Sequence, residues 1–239
     1  MTDVRKKDAI IQVFHVFKQY GAKKALSDVT LDVFKNEFVL VTGPSGAGKT
    51  TLLKLLYRGE SATEGQILVD GMNLARIPGK RIPYLRRQFG IIFQDYKLIP
   101  TKTVFDNVAL VLEVQGKGRR LVEKKVNSVL RHVGMEDRRT AYPPSLSGGE
   151  QQRIAMARAV VGDPKIVLAD EPTGSLDPES AAAIIDLLKR FHLRGGTLVI
   201  ATHDRDLVAQ SGGRIIRLQQ GQVVDPQLAP ETVPYAALR

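Results

Sequence analysis

The chain has 239 residues, 43% of them hydrophobic and 25% charged, with 35 Lys and Arg against 25 Asp and Glu for a formal net charge of +10. This length suits one large domain, or one domain with subdomains. The lack of cysteine excludes disulfides, thiolate metal sites and cysteine nucleophiles, and no stretch approaches the roughly 20 apolar residues that span a bilayer. The opening MTDVRKKDAI has charges but no apolar run of signal-peptide length, so no export signal is expected. The positive surplus suits an anionic partner, whether nucleic acid, an acidic membrane face or nucleotide, without choosing among them.

In chain order, residues 10–33 read as short strands around a turn at Tyr20-Gly21, and Phe38 to Val41 as a buried strand. A glycine-rich turn follows, then a Leu-rich helix over 49–57. Residues 67–69 before Asp70-Gly71 read as a hairpin arm, and 89–93 as another strand. Residues 103–133 read as helical with turn signals at Gly116 and Gly118, Pro143-Pro144 breaks the chain, and a long helix starts after Ser147. Strands over 166–169, 197–202 and 215–218 then alternate with a helix around 181–191 and a short helix, which predicts a mainly parallel sheet. Pro226, Pro230 and Pro234 mark a loose tail.

Residues 43–50, GPSGAGKT, match G-x-x-x-x-G-K-[ST] in full and lie between a buried strand and a helix, the context this motif requires. Glycines let the backbone curl until successive N–H groups face phosphate oxygens, and the helix start adds partial positive charge. Gly43, Pro44, Ser45, Gly46, Ala47, Gly48, Lys49, Thr50 and Thr51 are the expected nucleotide-binding residues. Lys49 reaches the β- and γ-phosphates and the Thr50 hydroxyl can ligate Mg²⁺. Alone, this motif also fits GTPases and small-molecule kinases.

The apolar run 166–169 ends in Asp170 and Glu171. Adjacent carboxylates repel unless a cation sits between them. Asp170 is placed to hold a Mg²⁺ shell and Glu171 to polarise a water for in-line attack. Further on, Ser147 followed three residues later by Glu150 is a capping box. Ser147, Gly148 and Gly149 therefore open a helix whose N–H groups offer a second anion site, far in sequence from the first.

The run LSGGEQQR, residues 146–153, is similar to the signature motif of the ABC ATPases, and the other motifs of that family follow in its order. Gln94 stands at the position of the Q-loop, Ser175-Leu176-Asp177 at the D-loop, His203 at the switch histidine and Tyr20 at the aromatic that stacks on adenine. The resemblance covers residues 10–224. It implies a P-loop NTPase (RecA-like) α/β core with a mainly parallel sheet, an N-terminal antiparallel β-subdomain and an inserted helical subdomain. The implied ATPase domain spans 9–224, with the helical subdomain at about 95–162 and a short tail at 225–239. It implies Mg²⁺-dependent ATP hydrolysis in a head-to-tail homodimer, where Ser147, Gly148, Gly149 and Asp177 meet the partner's ATP. Glu171, His203 and Lys49 are the implied catalytic residues, and Thr50, Gln94 and Asp170 the metal ligands.

Residues 82–108, IPYLRRQFGIIFQDYKLIPTKTVFDNV, are similar to the FtsE family of cell-division ATPases. That likeness implies an FtsX-like transmembrane partner with its coupling helix near Gln94, contacts with division proteins, control of peptidoglycan hydrolases at the septum, and a peripheral place on the cytoplasmic side of the inner membrane. Cassettes for lipoprotein release and macrolide export share FQD and LSGGEQQR, so the ATPase of such a transporter, or of a solute transporter, is the alternative. No nucleic-acid partner is expected. Chromosome and repair members of the family split the cassette with a long coiled coil or a zinc insertion, and the stretch between Gln94 and Ser147 is short, without cysteine or sustained heptads.

Overall fold

A computed structural model describes residues 9–174 and 176–226. Two twelve-residue strands, β1 (Ala9–Tyr20) and β2 (Lys23–Phe34), form an antiparallel hairpin in place of the short strands expected there. Register shifts along β1 explain the difference: the bulges break the strict alternation that marks a long strand in sequence. Strand β4 (Glu64–Val69) pairs with β1, and β5 (Met72–Asn73) with β4, giving an antiparallel sheet in the order β2-β1-β4-β5.

A second sheet holds β3 (Phe38–Thr42), β6 (Phe89–Ile92), β7 (Ile166–Asp170), β8 (Thr197–Thr202), β9 (Arg214–Gln219) and β10 (Gln222–Pro226), in the order β10-β9-β3-β8-β7-β6. All its pairings are parallel except β9 with β10. The first two residues of the segment expected as a tail thus complete β10, and the rest of that segment lies outside the described residues.

Side chains alternate across a strand, so each central strand feeds two cores. Val39, Val41, Leu168, Val199 and Ala201 pack with the antiparallel sheet and with helix α1 (Lys49–Leu56). Leu40, Val167, Ala169, Leu198 and Ile200 face the other way, onto Ile184, Ile185 and Leu188 of helix α6 (Pro178–Leu193) and Leu207 of helix α7 (Arg205–Ser211). The short helix α2 (Ile82–Arg86) buries Leu85 in the first core.

Three helices build a third core: α3 (Val104–Val114), α4 (Arg119–His132) and α5 (Gly148–Val160). Val104, Val108 and Leu112 on α3, and Val122, Val126 and Leu130 on α4, recur at the four-residue spacing that lines one helical face, and they meet Ile154 and Ala157 of α5. Asn107, fully buried, fixes the approach to α3: its side chain accepts from Ile99 N and donates to the carbonyls of Ile99, Lys102 and Thr103.

Candidate functional site

In an open parallel sheet, ligands bind beyond the carboxyl ends of the strands. Four neighbouring strands end there in register: Thr42 pairs with Thr202, Asp170 with Ala201, and Ile92 with Ala169. The residues just past them are the phosphate loop after β3, Gln94 after β6, Glu171 after β7 and His203 after β8.

The loop curls because its glycines permit it. Gly43 and Gly48 have φ of 148° and 105°, and an added Cβ would lie 2.1 Å from Leu218 O in one case and 2.7 Å from Ala25 O in the other. Lys49 is buried, and its Nζ donates to Gly43 O at 2.8 Å and to Pro44 O at 3.3 Å. Lys49 Nζ also lies 3.5 Å from Glu171 Oε1.

Glu171 holds a left-handed φ of 47°, a conformation that costs a non-glycine residue free energy and is retained where its surroundings enforce it. Its N–H donates to Ala201 O at 2.8 Å. Its carboxylate meets His203 twice, with Oε1 2.8 Å from Nδ1 and Oε2 accepting from the backbone N–H at 3.2 Å. The Glu171 side chain is 10% exposed and that of His203 67%.

Thr50 donates from Oγ1 to Asp170 Oδ1 at 3.1 Å. Burial raises Asp170 above the ordinary carboxylate range; the Thr50 hydroxyl opposes the shift and the charge of Glu171 adds to it. A cation here would offset that penalty. Among the described residues no cluster of three or more His, Cys, Asp or Glu could hold a metal. Two hard oxygens from the protein suit Mg²⁺, which completes its shell with phosphate and water.

A cavity of about 450 Å³ is lined by every residue from Pro44 to Thr51 together with Tyr20, Gln94, Glu171 and His203. Gly43 and Asp170 do not line it but bond to Lys49 and Thr50, which do. Lys23 and Ala25, which sequence reasoning missed, also line it. Their signal was weak: they lie on β2 just past the Tyr20-Gly21 turn, in a register that the bulges obscure. Tyr20 is 41% exposed, with Lys18 Nζ 4.5 Å from its ring centroid.

Ser147, Gly148, Gly149 and Asp177 do not line this cavity. The capping box expected at Ser147 is present: Ser147 Oγ accepts from Glu150 N at 3.2 Å and Ser147 N donates to Glu150 Oε2 at 2.8 Å. That N–H bond, first among its causes, holds Glu150 below the usual range. Asp177 caps α6, accepting from Ser180 N at 2.9 Å, and Ser175 lies outside the described residues.

A phosphate loop, an acidic strand end and a capped glycine helix start on one RecA-like sheet define an ATP-hydrolysing cassette. The ABC transporter family model matches residues 26–174. The cell division ATP-binding protein FtsE of Streptococcus pneumoniae serotype 2 is 45% identical over 90% of this chain and 94% of its own. FtsE of Bacillus subtilis is 44% identical over 95% and 100%, and that of Escherichia coli K12 41% over 90% and 97%. An ATP-binding cassette solved as a dimer in a post-hydrolysis state bound to ADP and Pi superposes with a TM-score of 0.83 at 35% identity, covering 89% of this chain and 96% of its own. The chain belongs to the ABC transporter family of ATPases and, within it, to the FtsE cell-division ATP-binding proteins.

Proposed function

We propose that the chain is the ATP-hydrolysing subunit of a cell-division complex, in which two copies pair head to tail and drive an FtsX-like transmembrane partner. The observation that carries the chemistry is Glu171 Oε1, 2.8 Å from His203 Nδ1 and 3.5 Å from Lys49 Nζ within one cavity. The task in division rests on the identity with the FtsE proteins.

The backbone N–H groups of residues 45–50 cradle the phosphates, and the adenine stacks on Tyr20. Lys49 leaves its carbonyl partners for the β- and γ-phosphates, which frees Glu171. Glu171 then takes the proton of the water that attacks the γ-phosphate in line, the bond from the γ-phosphorus to the β–γ bridging oxygen breaks and ADP leaves with that oxygen, while His203 steadies the carboxylate and contacts the γ-phosphate. Thr50, Asp170 and Gln94 would hold Mg²⁺, which would spread the charge of the transferring group. Ser147, Gly148 and Gly149 offer a second capped helix start to the γ-phosphate on the other copy, and Asp177 lies across that interface. The dimeric cassette relative with ADP and Pi supports the pairing of two copies.

Residues 9–224 act as one ATPase unit in this reading, with 95–162 as a helical subdomain that receives the membrane partner next to Gln94. Among the described residues no helix is long and apolar enough to cross a membrane; in this reading the partner holds the chain at the inner membrane. ATP cycling then governs peptidoglycan hydrolases at the septum. Trapping Glu171→Gln with ATP in solubilised native membranes tests the assignment. Recovery of a four-span membrane protein with a large extracytoplasmic loop is expected, and recovery of a solute permease or lipoprotein-release subunit would overturn the division role.

A further inference from the structure

Arg158, half-buried near the C-terminal end of α5, donates to two consecutive carbonyls: Tyr96 O at 2.6 Å and Lys97 O at 2.7 Å. Both loop residues hold left-handed backbones, with φ of 59° and 49°. Neither is glycine, so the turn needs an outside hold. Its internal bonds are short-range, Tyr96 N to Phe93 O and Lys97 N to Asp95 O. The guanidinium supplies the outside hold, because its planar fork reaches both carbonyls with charge-assisted bonds.

The same loop meets α5 a second time. The Tyr96 hydroxyl lies 3.1 Å from where a Cβ would stand on Gly148, the first residue of the helix. Gly148 and Arg158 are ten residues apart, about 15 Å along an α-helix. The segment that begins two residues after Gln94 is therefore bonded to the last turn of α5 and packs against its glycine start.

We infer that Arg158 is a positioning residue for hydrolysis: by holding the carbonyls of Tyr96 and Lys97 it makes the Gln94 loop and the Ser147–Gly149 helix start move as one body. The glycine start reaches the ATP of the other copy only when the Gln94 loop is seated. This inference rests on the head-to-tail reading above.

The test uses the full chain with Glu171→Gln, measuring by light scattering the ATP concentration for half-maximal dimerisation. Arg158→Lys keeps the cation but loses the fork, and Arg158→Met loses both. Arg158→Lys is expected to raise that concentration about tenfold, with affinity for ADP within about twofold of the parent. Arg158→Met is expected to raise it further; should it fail to fold, Arg158→Lys decides alone. Ser147→Arg serves as the control that blocks closure. No shift in Arg158→Lys while Ser147→Arg blocks dimers would overturn the inference and leave the head-to-tail reading standing. Equal losses of ADP affinity and dimerisation would reduce Arg158 to a structural role. Normal dimers with Ser147→Arg would overturn the head-to-tail reading and this inference with it.

Discussion

The Thr173 hydroxyl donates to Asp204 Oδ2 at 2.7 Å, joining the loop after β7 to the loop after β8. Thr173 stands two residues past Glu171 and Asp204 one past His203, so this bond runs beside the Glu171–His203 contact. Asp204 is itself fixed, because its Oδ1 caps α7 by accepting from Asp206 N and Leu207 N. Thr173→Val keeps the shape and removes the donor. A stability loss of about 1 kcal/mol is expected, with kcat down several-fold and ATP affinity unchanged. Denaturant unfolding and steady-state hydrolysis check both parts.

Asp170 carries a pH signature. Burial raises it above its ordinary value in the folded protein. Below the ordinary value both folded and unfolded states are protonated and the group is neutral in the balance. As pH climbs from the ordinary value through the raised one, the folded state retains the proton more tightly, so stability falls across that window and stays lower above it. Asp170→Asn is expected to remove this decline and to raise the melting temperature of the nucleotide-free protein at neutral pH, while removing Mg²⁺-dependent hydrolysis. Melting curves across acidic to neutral pH check the sign, and an unchanged pH profile would contradict it.

Gly149 is packed against the start of α6. A Cβ there would fall 2.4 Å from the Oγ of Ser180, the residue whose N–H donates to Asp177. Gly149→Ala is expected to cost about 1–3 kcal/mol through overpacking and to weaken ATP-dependent dimerisation. Adding Ser180→Gly opens the space and is expected to recover most of the stability. Melting temperatures of the two single variants and the pair measure the coupling.

Lys18 backs the Tyr20 ring from 4.5 Å and is anchored by Glu60 Oε2 at 3.2 Å and Ser61 O at 2.9 Å. With its aromatic partner held in this way, Tyr20→Ala is expected to raise the KM for ATP about tenfold with kcat little changed, and Tyr20→Phe to stay near the parent. Substrate-dependence curves distinguish the two.

Much of the site was legible because its chemistry lies in contiguous motifs. The phosphate loop fell between β3 and α1 as its pattern requires, and the Ser147–Glu150 box formed with both bonds. Long-range partners were not legible. Gln152 reads as one more polar residue of the signature helix, yet it is buried and donates to Pro172 O at 2.7 Å, tying α5 to the residue after Glu171. Tyr96 and Lys97 carry no glycine to announce a left-handed turn; their carbonyls accept from Arg158, some sixty positions away. Strand β10 was missed because Val223-Val224 is too short a run to stand alone, and it exists through its pairing with β9. Sheet order likewise follows from crossovers that no local pattern encodes.

The most direct test of the whole account is the molecular mass of Glu171→Gln with ATP, measured by size-exclusion chromatography with light scattering alongside the release of phosphate. ATP is expected to double the mass, ADP to leave a monomer, and phosphate release to fall to a small fraction of the parent's. A monomer at saturating ATP, or phosphate release at the parent's rate, would contradict it.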